Sequence, residues 1–341
     1  YDYDSKYLVS ATFRRDGSSR LGNEKFDFFP SVALGWNAHK EDFIANSSVG
    51  NVISKLKPRL SYGVNGNQEI LSNYGVFGSY GSQGTYNGQT GYANTGLPTL
   101  DLVWERSTTF NVGLDISFFN NRLNFITDVY SRDVKDKLSY LTLPYYTGFG
   151  GILTNNGTVR NKGFELEMNA DILRKEDLTW NIGASLTTNK NYVVNLPDND
   201  NELNRQGGTE IYNPATGQNE WVGGLQEGQR VGNDLIVTYE QDYIYADQAA
   251  VDAHATRQDE LLRDPTKRFP GDVAWVDQNG DNIINSLDRK VIGRATPDFI
   301  GGFTSSLTYK NVNLYIKTDF ATGHVINNHI RVKGMRKHKV I

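Results

Sequence analysis

Between Phe299 and Lys310 apolar and polar positions alternate almost without a break. Phe299, Gly301, Phe303, Leu307 and Tyr309 fall on one parity, and Thr304, Ser306, Thr308 and Lys310 fall on the other. Alternation of that length predicts a β-strand with one apolar and one polar face. Val312 to Phe320 repeats the pattern after a minimal join at Lys310-Asn311, so the pair predicts a hairpin of an antiparallel sheet. The same period recurs at Tyr7–Arg14, Pro30–Trp36, Leu56–Val64, Thr108–Phe118, Arg122–Val134, Phe164–Ile172 and Trp180–Thr187. Several of these stretches run to about nine residues or more, longer than the ~5–6 usual in soluble sheets. Such lengths cross a bilayer at a tilt.

The connections fall into two kinds. Tight turns are predicted at 119–122, where Asn120-Asn121 tolerates left-handed backbone, and at 173–177 and 310–312. Between them come long connections at 65–103, 135–156 and 191–295. Short turns at one rim and long loops at the other are the asymmetry of an outer-membrane barrel. The 65–103 stretch is rich in Gly, Asn, Ser and Gln, a composition that reads as a disordered linker, whereas the interleaved Tyr74, Phe77, Tyr80, Tyr86 and Tyr92 read as an ordered loop with stacking surfaces, and both readings stand. A connection as long as 191–295 demands internal structure. A strand-like Leu235–Tyr245, a helical Asp247–Arg263 and a metal-like loop at 277–288 predict a folded extracellular insertion between two barrel strands. A helical turn is predicted at Glu41–Ile44.

Composition narrows the environment. The 341 residues are 38% hydrophobic with negative mean hydropathy, and no run of ~18 apolar residues occurs, which excludes a transmembrane helix. A β-barrel is not excluded, because only alternate residues of its strands face lipid. Aromatic residues at 12% and 34 glycines lean toward strands and turns. The absence of cysteine excludes thiolate metal sites and cysteine nucleophiles, and suits an exported bacterial protein. A net charge of −4 with interspersed signs offers no footprint for nucleic acid. The chain opens within residues of a strand pattern, without an initiator Met or signal peptide, and reads as an internal segment of a longer protein.

One local motif is sharp. In Asp277-Gln-Asn-Gly-Asp-Asn-Ile-Ile-Asn-Ser-Leu-Asp288, Asp277, Asn279, Asp281, Asn285 and Asp288 fall at the side-chain ligand positions of a calcium loop, and Ile283 falls where a backbone carbonyl binds. A hard cation needs six or seven oxygens on a chain that coils around it. Asn282 stands where Gly is usual, and position twelve is the short Asp288, so an Asx-rich turn without metal is the alternative. His39, His254, His324, His329 and His338 have no tight ligand spacing, and no nucleophile elbow, phosphate loop or zinc-peptidase motif appears. Glu165, Glu167 and Asp171 alternate on one strand face, a spacing suited to a water-filled lumen rather than to catalysis. The sequons at Asn46 and Asn156 and the basic cluster Arg331–Lys339 read as chance and as a solvated segment. No catalytic or cofactor-binding residue is expected.

Several stretches together resemble a known family. Phe13-Arg-Arg-Asp-Gly-Ser-Ser-Arg20, Phe29-Pro-Ser-Val-Ala-Leu-Gly-Trp36, Lys55-Leu-Lys-Pro-Arg-Leu-Ser-Tyr-Gly-Val-Asn-Gly-Asn67, Trp104-Glu-Arg106, Asn155-Asn-Gly-Thr-Val-Arg-Asn-Lys-Gly-Phe-Glu-Leu166, the Asp277 loop, Ile292-Gly and Pro297-Asp-Phe are similar to the C-terminal half of SusC/RagA-type TonB-dependent transporters. The resemblance implies an all-β, antiparallel, 22-stranded transmembrane barrel in the outer membrane of a Gram-negative, Bacteroidetes-type cell. It also implies an N-terminal plug, energy from TonB, a SusD-like surface lipoprotein as lid, and import of oligosaccharides or peptides. On that pattern residues 1–341 are a partial barrel of about nine strands, without the plug, the TonB box or the final strand. Met335–Ile341 does not continue the alternation. Two other readings are a passive porin or adhesin barrel and a soluble calcium-dependent carbohydrate-binding β-protein. The soluble reading requires the apolar strand faces to bury against one another.

Overall fold

The computed structural model describes residues 1–257 and 268–326. Ten strands form one sheet in which each strand pairs with its neighbours in this order: β1 (Asp2–Tyr3), β2 (Tyr7–Gly17), β3 (Phe26–Trp36), β4 (Ile53–Asn67), β5 (Glu105–Phe118), β6 (Leu123–Lys135), β7 (Thr158–Lys175), β8 (Leu178–Asn195), β9 (Phe299–Tyr309) and β10 (Val312–Thr322). The nine long strands answer the alternation one for one, mostly outrunning it by a few residues at the loop rim. β7 and β8, at 18 residues each, pair almost end to end.

The tight turns form where left-handed backbone is tolerated. Phe119, Asn120 and Asn121 all have positive φ, and so does Lys310, while Glu176-Asp177 closes the β7–β8 hairpin. These turns share one rim with the 37–52 connection, which carries a short helix at Asp42–Ala45. The opposite rim carries the long connections.

Register sorts the side chains of the sheet. Val9, Leu34, Leu60, Val112, Val129 and Phe164 lie side by side across six strands on one face. Among the described residues nothing packs over them: Leu34 is 45% exposed, Val112 47% and Val129 54%. A soluble sandwich would bury this face against a second sheet, so the soluble reading fails here. Exposed aromatics bracket the belt. Trp36 and Tyr7 stand at the turn rim, and Phe13, Phe26 and Phe28 stand at the loop rim. From Phe26 to Trp36 the strand rises roughly 33 Å at about 3.3 Å per residue. That is about 25 Å along the axis at ~40° tilt, the height of an apolar membrane band.

The hydrophobic core of this unit, residues 1–198 with 299–320, lies beneath its loops instead. Leu21, Phe29, Val64, Leu71, Val76, Leu102, Trp104 and Leu138 form one buried cluster. Trp104 meets Phe29 edge to face at 5.5 Å and donates its indole N–H to the Lys25 carbonyl at 3.2 Å. Gly66 lies directly beneath both rings, where a Cβ would come within 2.3 Å of Phe29 and 2.9 Å of Trp104. Asn155 pins the next loop, donating to the carbonyls of Val103 and Asp136 and accepting from the Val103 N–H.

Two long connections hold more strand than their composition announces. Within 65–103 the hairpin Ser79–Tyr86/Gln89–Gly96 turns at Asn87-Gly88, both with positive φ, and within 135–156 Leu138–Thr142 pairs with Gly151–Asn155.

The second unit comprises residues 199–298 with the segment from Ala321. Its hairpin Thr209–Asn213/Gln218–Val222 is followed by Leu235–Tyr239, paired with Arg289–Arg294, and by Gln241–Ile244, paired with Val273–Trp275. The continuous strand expected over Leu235–Tyr245 is thus broken at Glu240, because its halves pair with different partners. The expected helix over Asp247–Arg263 is also corrected. It covers Gln248–Ala253, capped by Asp247, whose carboxylate accepts from the Ala250 N–H. Thr256–Arg257 then pairs in parallel with Ile283–Ile284, and this ladder prevails over the helical propensity of the segment. Residues 258–263 lie outside the described residues, as do His329, His338, Arg331–Lys339 and Met335–Ile341.

Candidate functional site

The second face of the sheet is polar and hydrogen-bonded. One register row places Ser10, Ala33, Ser61, Asn111, Tyr130 and Gly163 together, and the next places Gly35, Arg59, Gly113, Asp128 and Glu165 together. Arg59 anchors the face. Its Nε donates to Asp115 Oδ1 at 2.8 Å and its terminal nitrogen to Asp128 Oδ2 at 3.0 Å. Lys55 holds the other Asp115 oxygen at 3.1 Å, and Asn111 donates to Asp128 at 2.8 Å. This network does not follow from strand parity alone, and its one local signal is the spacing of Lys55, Lys57 and Arg59 on the strand that pairs with Asp115. Glu165 and Glu167 share this face and are exposed, with Asn169 donating to Glu167. Asp171 is instead engaged by Arg174 and Asn181 at the turn rim. The three carboxylates are thus divided between the polar face and the turn rim.

The Asp277 loop coils on its own side chains. Asp277 accepts from the N–H groups of Gly280 and Asn282, each at 2.8 Å. Asn279 accepts from Asp281 N–H at 3.0 Å, and Asp281 from Ile283 N–H at 2.7 Å. Asn282 takes the left-handed φ of 63° at the position where Gly is usual. Asn285 caps the final turn by accepting from Leu287 N–H at 2.7 Å. Asp288 is 0% exposed and accepts from Gln278 and Asn285 N–H at 2.9 and 2.7 Å. Burial, reinforced by the charges of Asp277 and Asp281, pushes the Asp288 carboxyl above the ordinary aspartate value. No Lys or Arg among the described residues pairs with these three acids. Glu240 tethers the loop from outside, receiving Lys290 at 3.0 Å and Gln278 at 3.3 Å. Lys290 first and Gln278 second hold Glu240 below the ordinary carboxylate value. Among the described residues no group of three or more His, Asp or Glu could hold a metal on side chains of those types alone. Asn279, Asn285 and the Ile283 carbonyl are therefore indispensable to any cation site here.

The loops of the first unit present aromatic side chains outward: Tyr74, Tyr80, Tyr86, Tyr92, Tyr140, Tyr145 and Tyr146 are all exposed. Between the 68–104 loop and the 138–155 hairpin opens a cleft of about 450 Å³ lined by Tyr74, Tyr140, Ile70, Ile152, Leu153 and glycine backbone.

An exposed apolar belt between aromatic girdles, a polar opposite face and strand connections that alternate between short and long define a segment of a membrane β-barrel. The chain belongs to the TonB-dependent receptor-like β-barrel family, whose description matches residues 1–257. It is 34% identical over 341 residues to TonB-dependent receptor P3 of Formosa agariphila, covering 96% of this chain and 31% of that protein. It is 30% identical over 340 residues to TonB-dependent receptor SusC of Bacteroides thetaiotaomicron, covering 97% of this chain and 30% of that protein. Among solved structures, the RagAB peptide importer in its open-open state superposes with a TM-score of 0.70 at 24% identity, over 95% of this chain and 32% of that one. The chain thus spans about a third of the length of the relatives it matches. Receptor barrels of this family belong to the outer membrane.

Proposed function

We propose that this chain forms part of the wall and the extracellular loops of a TonB-dependent outer-membrane importer for oligosaccharides or peptides, working with a SusD-like surface lipoprotein as its lid. The observation that carries this reading is the two-faced sheet, with its exposed apolar belt outward and the Arg59 network inward. The polar face lines the lumen, where a plug outside this chain engages TonB and moves. The loop tyrosines and the rim cleft meet substrate and lid, since each offers a flat apolar surface with a polar edge. Import of this kind needs binding that can be made and released, and no bond is broken in the cargo.

Calcium belongs to the same proposal. Asp277, Asn279, Asp281, Asn285 and Asp288, with the Ile283 carbonyl, would hold it. The fit rests on a buried carboxylate flanked by two others without a paired cation. A bound Ca²⁺ supplies the missing positive charge and stiffens the insertion, a structural role.

The test is purification of the whole receptor from outer membranes in detergent, with mass spectrometry of what accompanies it. A heat-modifiable barrel that brings a surface lipoprotein with it is the expected result, and retained cargo would name the substrate class. A protein recovered alone from the soluble fraction overturns the reading.

A further inference from the structure

Lys162 on β7 and Lys190 on β8 are direct register partners. Both are exposed, and they share the parity of Phe164 and Leu166 on the apolar, outward face. They stand two register pairs beyond Phe164, next to it on the same face and on the loop side of the apolar belt. Like charges directly opposite one another in an antiparallel pair repel and destabilise it. Among the described residues no acid forms an ion pair with either ammonium. Asp133 is the acid at this corner, and Arg160 occupies both of its oxygens at 2.7 Å. Lys162 faces Ser131 on its other side, and Tyr192 stands opposite Arg160 on the next pair. Two ammonium groups, a hydroxyl and an aromatic ring fall together in register where the apolar band ends, and the Asp133 carboxylate, already held by Arg160, lies close enough for Lys162 to interact with its charge.

We infer that Lys162 and Lys190 form a binding site for the phosphate of a lipid headgroup in the outer leaflet. Its acyl chains run down the Phe164–Leu166 face while its phosphate sits between the two ammonium groups. An anion there turns a repulsive pair into a bridge across β7 and β8, and the adjoining apolar face supplies the contact that a free phosphate lacks. Lysine stems that lie along apolar surface and hold their charge at the boundary suit this geometry. The inference rests on the membrane reading above, and its test is kept separate from that reading.

The experiment uses the whole receptor purified from outer membranes, as wild type, Lys162→Gln/Lys190→Gln and Lys162→Arg/Lys190→Arg. Heat-modifiable mobility reports the barrel in every case. Native mass spectrometry then counts retained lipid after exchange against lipid A, dephosphorylated lipid A or inorganic phosphate. The expected result is retention of phosphorylated lipid A by wild type and by the arginine variant, with at least a tenfold loss in the glutamine variant. Equal retention by all three folded proteins overturns the inference. So does equal retention of the dephosphorylated lipid, or full displacement of lipid A by millimolar phosphate. A receptor that is not heat-modifiable and not in the membrane fails the membrane reading instead.

Discussion

Arg59 reaches Asp128 two strands away by passing directly over Gly113. A Cβ at residue 113 would lie 2.7 Å from the guanidinium and 2.6 Å from the Asp128 carboxylate. The glycine is the gap through which β4 and β6 are joined across β5. Gly113→Val is expected to break the bridge and destabilise the folded barrel by about 1–3 kcal/mol, as overpacking does. The midpoint of the heat-modifiable gel shift in detergent measures it. An unchanged midpoint would mean the bridge contributes nothing to the wall.

The two faces of the sheet make opposite predictions. Val112→Arg puts a charge in the apolar belt and is expected to cost about 2–4 kcal/mol, lowering the yield of assembled barrel. Glu167→Lys, on the polar face, is expected to leave assembly intact. Membrane yield and heat-modifiability of the two variants, compared side by side, test the face assignment. Equal behaviour contradicts it.

Trp104 closes the core beneath the loops, so Trp104→Ala is expected to remove about 3–5 kcal/mol of packing from the rim while the strands below it stay paired. Limited proteolysis is expected to cut within 68–104 and 138–155 far faster than in wild type, with the barrel still heat-modifiable. Protection equal to wild type would show that the loops are held from elsewhere.

Asp288 gives the Asp277 loop a pH signature. Its carboxyl is raised above the ordinary value by burial, so the contribution of Asp288 to the stability of the metal-free loop is fully present below the unfolded aspartate pKa. That contribution is lost as pH rises through the raised value. With chelator present, amide exchange across 277–288, after correction for its intrinsic base-catalysed rate, is expected to speed up as pH rises above the ordinary aspartate value. Added Ca²⁺ reverses the sense by favouring the ionised carboxylates. Exchange that ignores both pH and calcium would leave the loop an Asx-rich turn.

The wall was legible in the sequence because strand parity is a local signal. Val112 and Asp115 declare their faces from spacing alone, and Asn120-Asn121 declares its turn. What escaped depended on partners distant in the chain. The hairpin at Asn87-Gly88 carried the strongest short-range turn signal, yet the polar composition around it hid the strands. The helix expected to Arg263 stopped at Ala253 because Thr256 pairs with Ile283, a contact no window of sequence contains. The donors of the Asp277 loop were readable from spacing, whereas the burial of Asp288 was not. Arg59 and Lys162 were visible as charges, but their meaning came from Gly113 and Lys190 beside them.

The cluster under the loops draws on separate connections: Leu21 from the first, Leu71, Val76, Leu102 and Trp104 from the second, and Leu138 from the third. These segments therefore share one interior and cannot be exchanged singly. Grafting a single loop from a relative would leave a hole or a clash where the other two expect a side chain. The recognition surface above that interior is inherited as a set. Diversification at this rim therefore requires co-ordinated replacement of all three segments, while the strands below are bound by parity and by the glycines, Gly66 and Gly113, over which side chains pass.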